Sequence, residues 1–468
     1  MASPSLVLVA NAGSSSLKFK LFEASGATLA PLASGLLERI GDAANSAMSA
    51  SCAASSASPS TPSSSEGKTT NARVPIRNHV EAMSRVLVYL SERFPSLGAT
   101  KTTTTTAAAP SAGGAAAPVA SPLAAVGHRV VHGLDLSRAC LVTPGVKAKI
   151  REASKLAPLH NPAGLAGIEA AEAVFGGGGG GGVPSVAVFD TAFHSATLPQ
   201  KEHVYALPWE LYADAAPSVR KYGFHGTSHK YLALEAARVL KKNNGLDRPA
   251  NLVTCHLGNG SSLAAIRRGA SVATSMGLTP LEGLVMGTRS GDLDPAVPLY
   301  LMQSLGQTAA QIDALLNKRS GLMGVCGASD VRAVLQGASR GDARCALALE
   351  MYAHRARKYL GAYFAGVLDG DVDAVVFSAG IGENSPVVRA AIVGGLQRLG
   401  IRLDDEKNCA AVGARALGRG VDISEAESPV RVLVIPTDEE LMIAREALEV
   451  VGCVAGGGGG GGGNGGAA

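Results

Sequence analysis

Residues 6–22 read LVLVANAGSSSLKFKLF, and this stretch decides the fold prediction. An apolar strand runs into a turn rich in small and polar residues, and an alternating second strand follows. Gly13 lets the turn close tightly, and the backbone N–H groups and hydroxyls of serines 14–16 could cradle phosphate oxygens. Asn11 and Lys18 would add a polar contact and a positive charge. Taken alone, the stretch also fits an ordinary Gly/Ser hairpin.

A second stretch, LVTCHLGNGSSLAAI at residues 252–266, repeats the same pattern. Gly258 and Gly260 flank Asn259, so the backbone of this turn can approach an anion closely. Two such strand–turn–strand elements far apart in one chain predict two related domains, each with one phosphate loop.

A third stretch, AVVFSAGIGENSPVVRAAI, occupies residues 374–392. A buried strand runs into residues 380–384, and a helix with Pro386 near its first turn follows. This order suits a nucleotide that lies across the carboxyl end of the strand, although a bare G-x-G is a weak signal.

The rest of the chain alternates between strand-like and helix-like segments. Strands are predicted at residues 6–10, 125–131, 183–189, 252–256, 374–378 and 430–435. Helices are predicted at residues 80–93, 165–174, 230–240, 308–318, 343–368, 385–399 and 439–450. Several strands are almost entirely apolar, as expected where helices cover both faces of a sheet, so the predicted class is α/β.

Four tracts differ in composition from the rest of the chain. Residues 43–72 are rich in Ser, Ala and Pro, residues 99–122 in Thr, Ala, Pro and Gly, and residues 176–182 and 456–468 in Gly. Such sequence buries too little apolar surface to offset its ordering entropy. We therefore expect three flexible surface insertions and a disordered tail.

Composition and charge indicate which partners and which cellular environment to expect for this protein. The 468 residues are 46% hydrophobic and 17% charged, with a net charge of +4 and no basic cluster, so neither nucleic acid nor a membrane is expected as a partner. The apolar run at residues 6–10 is short and has no basic residue before it, so no leader is expected. The 7 cysteines have no C-x-x-C spacing, which argues against a disulfide framework or zinc ribbon and favours an intracellular protein.

Two charged side chains on or after strands are candidates for binding an acid. In AVGHRVVHG, strand alternation puts Arg129 and Val131 on one face and His128 and His132 on the other. The arginine could hold a carboxylate or phosphoryl group while the valine contacts an alkyl tail. We interpret the two histidines as structural. Asp190 ends the strand VPSVAVFD, where its carboxylate could enter a crevice above the sheet or simply cap a turn.

Two more candidates lie in turns. His225 precedes a helix that Ser228 could cap, whereas His229 is interpreted as structural. Arg289 lies in the Gly-rich loop MGTRSGDLDP, where its guanidinium could reach a phosphoryl oxygen, or could be a solvated loop charge.

Nine motifs in order resemble the acetokinase family, that is, the acetate kinases. They cover nearly the whole chain outside the four low-complexity tracts: residues 11–18, 127–133, 157–162, 189–194, 221–231, 256–262, 286–295, 379–384 and 435–440. The departures are few: Leu134 stands where the family usually has glycine, and Asp438 where asparagine is commoner. Asp438 would add negative charge beside the expected metal site.

The resemblance implies two duplicated ribonuclease H-like (actin-like ATPase) domains flanking an interdomain nucleotide cleft. It places the N-terminal domain at residues 1–194 joined by the C-terminal helix 440–455. The second, nucleotide-binding domain would comprise residues 195–439.

The resemblance also implies a role for individual residues. Asp190, His225 and Arg289 would be catalytic. Substrate would contact Arg129, Val131, Leu159, Phe224 and Pro280. The nucleotide would contact Lys18, His256, Leu257, Gly258, Asn259, Gly260, Asp330, Val331, Arg332, Gly380, Ile381, Gly382, Glu383 and Asn384. Asn11 and Glu439 would help to bind Mg²⁺.

The reaction implied is reversible, Mg²⁺-dependent, in-line transfer of the γ-phosphoryl group of ATP to acetate, which gives acetyl phosphate and ADP. A homodimer and a cytoplasmic location are expected, with an organellar location left open. Two alternatives also stay open. One is a propionate or butyrate kinase, and the other is a non-catalytic nucleotide-binding module similar to actin or Hsp70.

Overall fold

The computed structural model describes residues 5–26, 28–52, 70–94, 97, 123–176, 182–413 and 420–456. The chain forms two compact units. Unit 1 is Met1–Gly133, Arg138–Phe189 and Glu440–Ala468, and unit 2 is Leu134–Ser137 and Asp190–Glu439. The units therefore divide after Phe189, whereas the resemblance placed the boundary after residue 194.

Unit 1 contains an 8-stranded sheet in the order β5-β4-β3-β2-β1-β6-β8-β7. Its strands are β1 (Ser5–Gly13), β2 (Ser16–Ser25), β3 (Thr28–Glu38), β4 (Ala47–Cys52), β5 (Thr70–Arg73), β6 (Leu123–Val130), β7 (Cys140–Leu141) and β8 (Ser185–Phe189). The helices are α1 (His79–Arg93), α2 (Pro144–Ala153), α3 (Asn161–Phe175) and, from its second residue, the C-terminal helix Glu439–Gly456.

Unit 2 contains a 6-stranded sheet in the order β11-β10-β9-β12-β14-β13. Its strands are β9 (Leu252–Leu257), β10 (Ser261–Arg267), β11 (Ala270–Thr274), β12 (Ala374–Ser378), β13 (Val421–Asp422) and β14 (Arg431–Val434). Its helices are α4 (Ala192–Ser195), α5 (Gln200–His203), α6 (Trp209–Ala213), α7 (Gly226–Asn244), α8 (Ala296–Leu305), α9 (Ala309–Lys318), α10 (Gly321–Cys326), α11 (Val331–Ser339), α12 (Ala343–Ala362), α13 (Ala379–Asn384), α14 (Pro386–Val393) and α15 (Asp405–Ala410). The C-terminal helix Glu439–Gly456 is α16.

The two sheets share one arrangement. In unit 1, β1 pairs antiparallel with β2, β2 antiparallel with β3, β1 parallel with β6, and β6 parallel with β8. In unit 2, β9, β10, β11, β12 and β14 repeat this order and these directions. This repetition confirms the predicted α/β fold with two related domains, and each sheet contains one of the two quoted hairpins.

Alternation along β1 distributes its side chains to two cores. Leu6, Leu8 and Ala10 lie in the cluster that contains α1 and α3 residues, whereas Val7 and Val9 pack in the cluster that contains Ile443, Ala444 and Ala447 of α16. Helices therefore cover both faces of this sheet, as the apolar strands predicted.

The sheet of unit 2 is also covered on both faces. Val253 and Cys255 of β9 lie in a cluster with α12, and Leu252 packs with Leu232 and Ala236 of α7. No helix in the described part of the chain is long and apolar enough to cross a membrane.

All six predicted strands and seven predicted helices are present, with shifted ends. The helix predicted at residues 385–399 ends at Val393, and a 3₁₀ turn follows at Gln397–Leu399. The break coincides with Gly394 and Gly395, and Gly395 has a positive φ of 81°.

The expected flexibility of residues 43–72 is wrong for the ends of that tract. Residues 47–52 form β4, and Thr70–Arg73 form β5, both within the sheet of unit 1. Met48 and Ala50 are buried on one face of β4 and alternate with less buried serines, so this short segment has the alternation of a strand despite its composition. Residues 53–69, 99–122, 177–181 and 457–468 lie outside the described residues.

Leu134 adopts a left-handed backbone conformation with φ 54°. A side chain with a Cβ is strained in this region, whereas glycine is not. This backbone geometry accounts for the glycine that the family usually has at this position.

Arg389 of α14 is fully buried and ties α13 to α15. Its Nη1 donates to the carbonyl oxygens of Gly382 (2.8 Å) and Glu383 (3.0 Å). Its Nε donates to Oδ1 of Asn408 (2.8 Å) and its Nη2 to the carbonyl oxygen of Asn408 (2.6 Å). Burial lowers the pKa of Arg389 to about 10, so the side chain stays charged at neutral pH.

We predict that Arg389→Met lowers the free energy of unfolding by about 3 kcal/mol, because buried carbonyl oxygens then lose their donors. Urea unfolding measures this change. The exposed Arg398 supplies the control, and Arg398→Met should change stability by less than about 0.5 kcal/mol. Equal midpoints for the two variants would contradict the account of Arg389.

Candidate active site

Asp190 lies at the start of unit 2 and is almost fully buried. Its carbonyl oxygen accepts a hydrogen bond from the N–H of Gly226 (2.8 Å), the first residue of α7. Its Oδ1 accepts from Oγ1 of Thr227 (3.4 Å). A methyl group added at Gly226 would lie 2.2 Å from the Asp190 carbonyl oxygen, so only glycine fits. Within unit 2, the residue that follows β8 is thereby joined to the beginning of α7.

His225 immediately precedes α7 and has a left-handed backbone with φ 56°. Its Nδ1 lies 2.9 Å from Oγ of Ser262 on β10. Its ring stacks on the ring of His256, with centroids 4.2 Å apart and planes at 22°. The imidazole is therefore held from two sides.

Arg289 and His225 approach the same glycine. A methyl group added at Gly260 would lie 3.5 Å from Nη1 of Arg289 and 3.5 Å from Nε2 of His225. Nη1 of Arg289 also donates to the carbonyl oxygen of Pro280 (3.2 Å). Burial lowers the pKa of Arg289 below its usual value, and the guanidinium remains a cation at neutral pH.

The loop of Arg289 is joined to the turn of residues 258–260. The N–H of Gly287 donates to the carbonyl oxygen of Asn259 (3.1 Å), and a methyl group at Gly287 would lie 2.1 Å from Oδ1 of Asn259. The N–H of Leu322 in α10 donates to the carbonyl oxygen of Met286 (3.0 Å). These contacts explain why glycine occupies position 287 in this loop.

A row of hydroxyl groups runs from His256 toward the C-terminal segment of unit 2. Nδ1 of His256 lies 2.8 Å from Oγ of Ser228, which lies 2.9 Å from Oγ1 of Thr437. The N–H of Thr437 donates to Oε1 of the buried Glu383 (3.2 Å). The segment next to Glu439 is therefore attached to β9, α7 and α13.

The GIGEN segment of residues 380–384 forms most of α13, a short helix directly after β12. The sequence predicts instead that a strand runs into this segment and that one helix follows it. Gly380 is exposed, and a methyl group there would meet no atom within 4 Å. Nδ2 of Asn384 donates to the Gly380 carbonyl oxygen (2.9 Å), while the Ile381 side chain packs against the core.

Asp330 and Arg332 bind each other at the start of α11. Oδ1 of Asp330 accepts from the N–H of Arg332 (2.8 Å), and Oδ2 accepts from Nη2 of the same residue (2.6 Å). The hydrogen bond from the Arg332 side chain lowers the pKa of Asp330 to about 2. Val331 is buried in the core of unit 2, which leaves its backbone for any contact with a nucleotide.

In unit 1, Asn11 and Lys18 are direct cross-strand neighbours in the β1–β2 hairpin. Lys18 forms an ion pair with Oε1 of Glu440 in α16. Burial alone would raise the pKa of Glu440, but attraction to Lys18 and its hydrogen bond lower the pKa overall. Sequence reasoning missed Glu440, although its place beside the predicted metal ligand Glu439 was a usable signal.

Arg129 is half-buried in β6, and Val131 directly follows that strand. Asn161 joins the next segment to α3, since its Oδ1 accepts from the N–H of His132 (3.0 Å) and its Nδ2 donates to the His132 carbonyl oxygen (2.9 Å). Leu159 lies two residues before Asn161 and is 58% exposed.

The predicted metal ligands supply suitable atoms. Among the described residues, no group of three or more His, Cys, Asp and Glu side chains forms a metal site. Asn11 at the end of β1 and Glu439 at the start of α16 offer an amide oxygen and a carboxylate. Mg²⁺ prefers such oxygen ligands and is commonly bound by one or two protein groups together with phosphates and water.

Comparisons with known proteins agree over nearly the whole chain. The model of the acetokinase family matches residues 6–91 and 112–445. An acetate kinase of Desulfitobacterium hafniense is 43% identical over 450 residues, which cover 95% of this chain and 99% of that protein. The crystal structure of Porphyromonas gingivalis acetate kinase is 37% identical with a TM-score of 0.77, covering 96% of this chain and 100% of the other. A propionate kinase from Francisella tularensis is 36% identical with a TM-score of 0.77, covering 95% and 100% of the two chains.

His194 of α4 supports the turn that carries His225. Its Nε2 lies 3.0 Å from the Phe224 carbonyl oxygen and its Nδ1 lies 2.7 Å from Oγ of Ser271. Burial lowers the pKa of His194 from 6.5 to about 4. Between pH 4 and pH 6.5, residue 194 binds more protons in the unfolded chain than in the folded one. The contribution of the neutral His194 to the free energy of unfolding is therefore complete above pH 6.5 and is lost as the pH falls to 4.

We therefore predict that burial of a neutral His194 makes the free energy of unfolding about 2 kcal/mol lower at pH 5 than at pH 7. In His194→Asn, the free energy of unfolding should be lower at pH 7, but should fall less between pH 7 and pH 5 than in the unaltered protein. Urea unfolding at both pH values measures the two slopes. Identical slopes would contradict a neutral, buried His194.

Proposed function

This chain belongs to the acetokinase family, and on that basis we propose that it transfers the γ-phosphoryl group of ATP to acetate, giving acetyl phosphate and ADP, and that the reaction is reversible. The observation that carries the proposal is the approach of Arg289 and His225 to Gly260, in the same unit as Asp190. Binding of a nucleotide alone would not require these three groups together.

The proposed chemistry is direct in-line transfer. A carboxylate oxygen attacks the γ-phosphorus, and negative charge spreads over the three equatorial oxygens in the transition state. Arg289 and His225 would stabilise that charge, and Arg129 in unit 1 would bind the carboxylate or the phosphoryl group. Because a carboxylate is already ionised at neutral pH, Asp190 would orient groups in the site and would have little work as a base.

Apolar walls would hold the methyl group of acetate. We assign this contact to Val131 and Leu159 of unit 1 and to Phe224 and Pro280 of unit 2. The proximity of Arg289 to the Pro280 carbonyl oxygen supports a pocket in which a cation and an apolar wall are adjacent.

The nucleotide would contact three segments of unit 2 and one lysine of unit 1. The three segments of unit 2 are the turn at residues 256–260, residues 330–332 and residues 380–384. The lysine of unit 1 is Lys18, which would lie near the phosphates. The exposed Gly380 suits this role, because the space that a side chain would fill there is open and lets a ligand approach the backbone.

Asn11 and Glu439 would hold Mg²⁺ together with phosphate oxygens. The ion would supply positive charge to the phosphoryl oxygens when it is bound. Asp438 adds a carboxylate directly beside Glu439 and would strengthen the attraction of this segment for a cation.

We further propose a cytoplasmic homodimer. Within α8 no residue is buried, and Leu299, Tyr300 and Leu305 are exposed on it. An exposed apolar helix of this kind fits a surface that a second copy of the chain covers. Light scattering should give a mass of twice 47.2 kDa, and a mass of one chain would contradict the dimer.

A propionate kinase is the second candidate, because a protein of that name has the same TM-score and nearly the same identity as an acetate kinase. One methylene in an apolar pocket changes binding by only about 1–3 kcal/mol, so the two activities are close in energy. The third alternative is a non-catalytic nucleotide-binding module similar to actin or Hsp70. Polymerisation or peptide binding by a protein that phosphorylates no carboxylate would favour this alternative.

We predict acyl-phosphate formation by the purified protein with MgATP, trapped as the hydroxamate, with kcat/KM highest for acetate among acetate, propionate and butyrate. A higher kcat/KM for propionate or butyrate would support the same mechanism with a longer acid as the substrate. Failure to phosphorylate any of the three acids would contradict the proposed function.

Arg289→Ala should reduce kcat by about 10³- to 10⁵-fold, the scale of an arginine that stabilises a transferring phosphoryl group. Arg289→Lys should recover only part of the activity, because a lysine lacks the planar fork of donors. Steady-state kinetics by the hydroxamate assay measures both effects. Arg340→Ala, at an exposed arginine of the same unit, is the control, and equal kcat values for the two alanine variants would remove Arg289 from the scheme.

A further inference from the structure

Four side chains, the last of which is His225, form a continuous row of hydrogen bonds. Oγ1 of Thr254 on β9 lies 2.7 Å from Nδ1 of His229, and Nε2 of His229 lies 2.8 Å from Oγ of Ser262. Oγ of Ser262 lies 2.9 Å from Nδ1 of His225. Thr254, His229 and Ser262 are fully buried.

The number of hydrogens in this row is limited. Ser262 has one hydroxyl hydrogen, and among the described residues its Oγ contacts only the two imidazole rings. If both rings donated to Oγ, this buried hydroxyl hydrogen would have no acceptor, so one ring accepts from Oγ and the other donates to it. Burial holds the pKa of His229 well below its usual value, so this ring is neutral and carries a hydrogen on only one nitrogen. All hydrogens in the row must therefore point in one direction or all in the other.

One further contact distinguishes the two directions. Oγ1 of Thr254 also lies 3.4 Å from the Ala264 carbonyl oxygen, which can only accept. If Thr254 donates to this oxygen, His229 donates from Nδ1 to Thr254, Ser262 donates to Nε2 of His229, and His225 donates from Nδ1 to Ser262. The opposite direction leaves the contact between Thr254 and Ala264 without a hydrogen.

We propose that Thr254, His229 and Ser262 are positioning residues that hold the neutral ring of His225 in the Nδ1–H tautomer and direct its Nε2 toward Gly260 and Arg289. In this tautomer Nε2 carries a lone pair. His225 then donates to a phosphoryl oxygen only after Nε2 gains a second proton, so the imidazolium is the form that stabilises the transferring group. This role in transfer rests on the proposed function, whereas the tautomer does not.

The row suits an anionic transition state. The Nδ1–H bond to Ser262 is kept in both protonation states of His225, so the ring need not turn when it becomes charged. Preorganised donors of this kind stabilise developing charge without reorganisation during the reaction.

The test uses two buried serines that each contact a histidine ring. Ser262→Ala removes the acceptor of His225, and Ser271→Ala removes the partner of His194 outside the row. Both serines are fully buried, so the substitutions are matched. We expect kcat to fall about 10- to 100-fold in Ser262→Ala with little change in KM, and to stay near the unaltered value in Ser271→Ala. Equal kcat in the two variants would overturn the positioning role.

Nitrogen-15 NMR of the histidine side chains gives a readout that a merely structural role would not move. The chain has 10 histidines, so the His225 signals are assigned by their loss in His225→Gln. At a pH where its ring is neutral, His225 should be the Nδ1–H tautomer in the unaltered protein and should shift toward the Nε2–H tautomer in Ser262→Ala. An Nε2–H tautomer in the unaltered protein would overturn the proposal.

Thr254→Val supplies a second variant of similar shape should Ser262→Ala fail to fold. Without Oγ1 at position 254, a hydrogen on Nδ1 of His229 has no acceptor. The direction of the hydrogen bonds along the row should therefore reverse, and His225 should convert to the Nε2–H tautomer although the substitution lies at the other end of the row. An unchanged tautomer would count against the row. If the unaltered protein transfers no phosphoryl group to any carboxylate, the proposed function fails, and the tautomer alone decides the direction of the row.

Discussion

The hydrogen bond from the Gly226 N–H to the Asp190 carbonyl oxygen is the contact on which the candidate site of unit 2 depends. It joins the chain after β8 to the start of α7, and His225, directly before Gly226, has a left-handed backbone conformation. Such a residue costs about 1–3 kcal/mol and persists only where its surroundings hold it. Here Ser262 and the ring of His256 hold the imidazole, so the strained turn, the buried carboxylate and the histidine form one arrangement.

Much of this arrangement was predictable from the sequence. Asp190, His225 and Arg289 each stand at a strand end or in a Gly-rich turn, where polar residues point to a site because the flanking segments are apolar. The repeated strand–turn–strand pattern predicted two related domains, and the actin-like ATPase fold that the resemblance implied accords with the shared strand order of the two sheets.

The rest depends on contacts that pattern cannot show. Thr254 and Ser262 look like ordinary strand residues, and only the pairing of β9 with β10 brings them to His229 on α7. The low-complexity composition of residues 47–52 concealed a strand, because pairing with β3 needs backbone and small side chains only. The sequence predicts a strand that runs into the GIGEN segment, whereas this segment lies in α13, where Arg389 donates to the carbonyl oxygens of Gly382 and Glu383.

The stereochemistry of transfer tests the central claim most directly. In-line attack of acetate on the γ-phosphorus, with charge stabilisation by Arg289 and His225, involves one displacement at phosphorus. With ATP made chiral at the γ-phosphorus by the three oxygen isotopes, the acetyl phosphate product should show inversion of configuration. Retention would require two displacements through a phosphorylated enzyme and would contradict direct transfer.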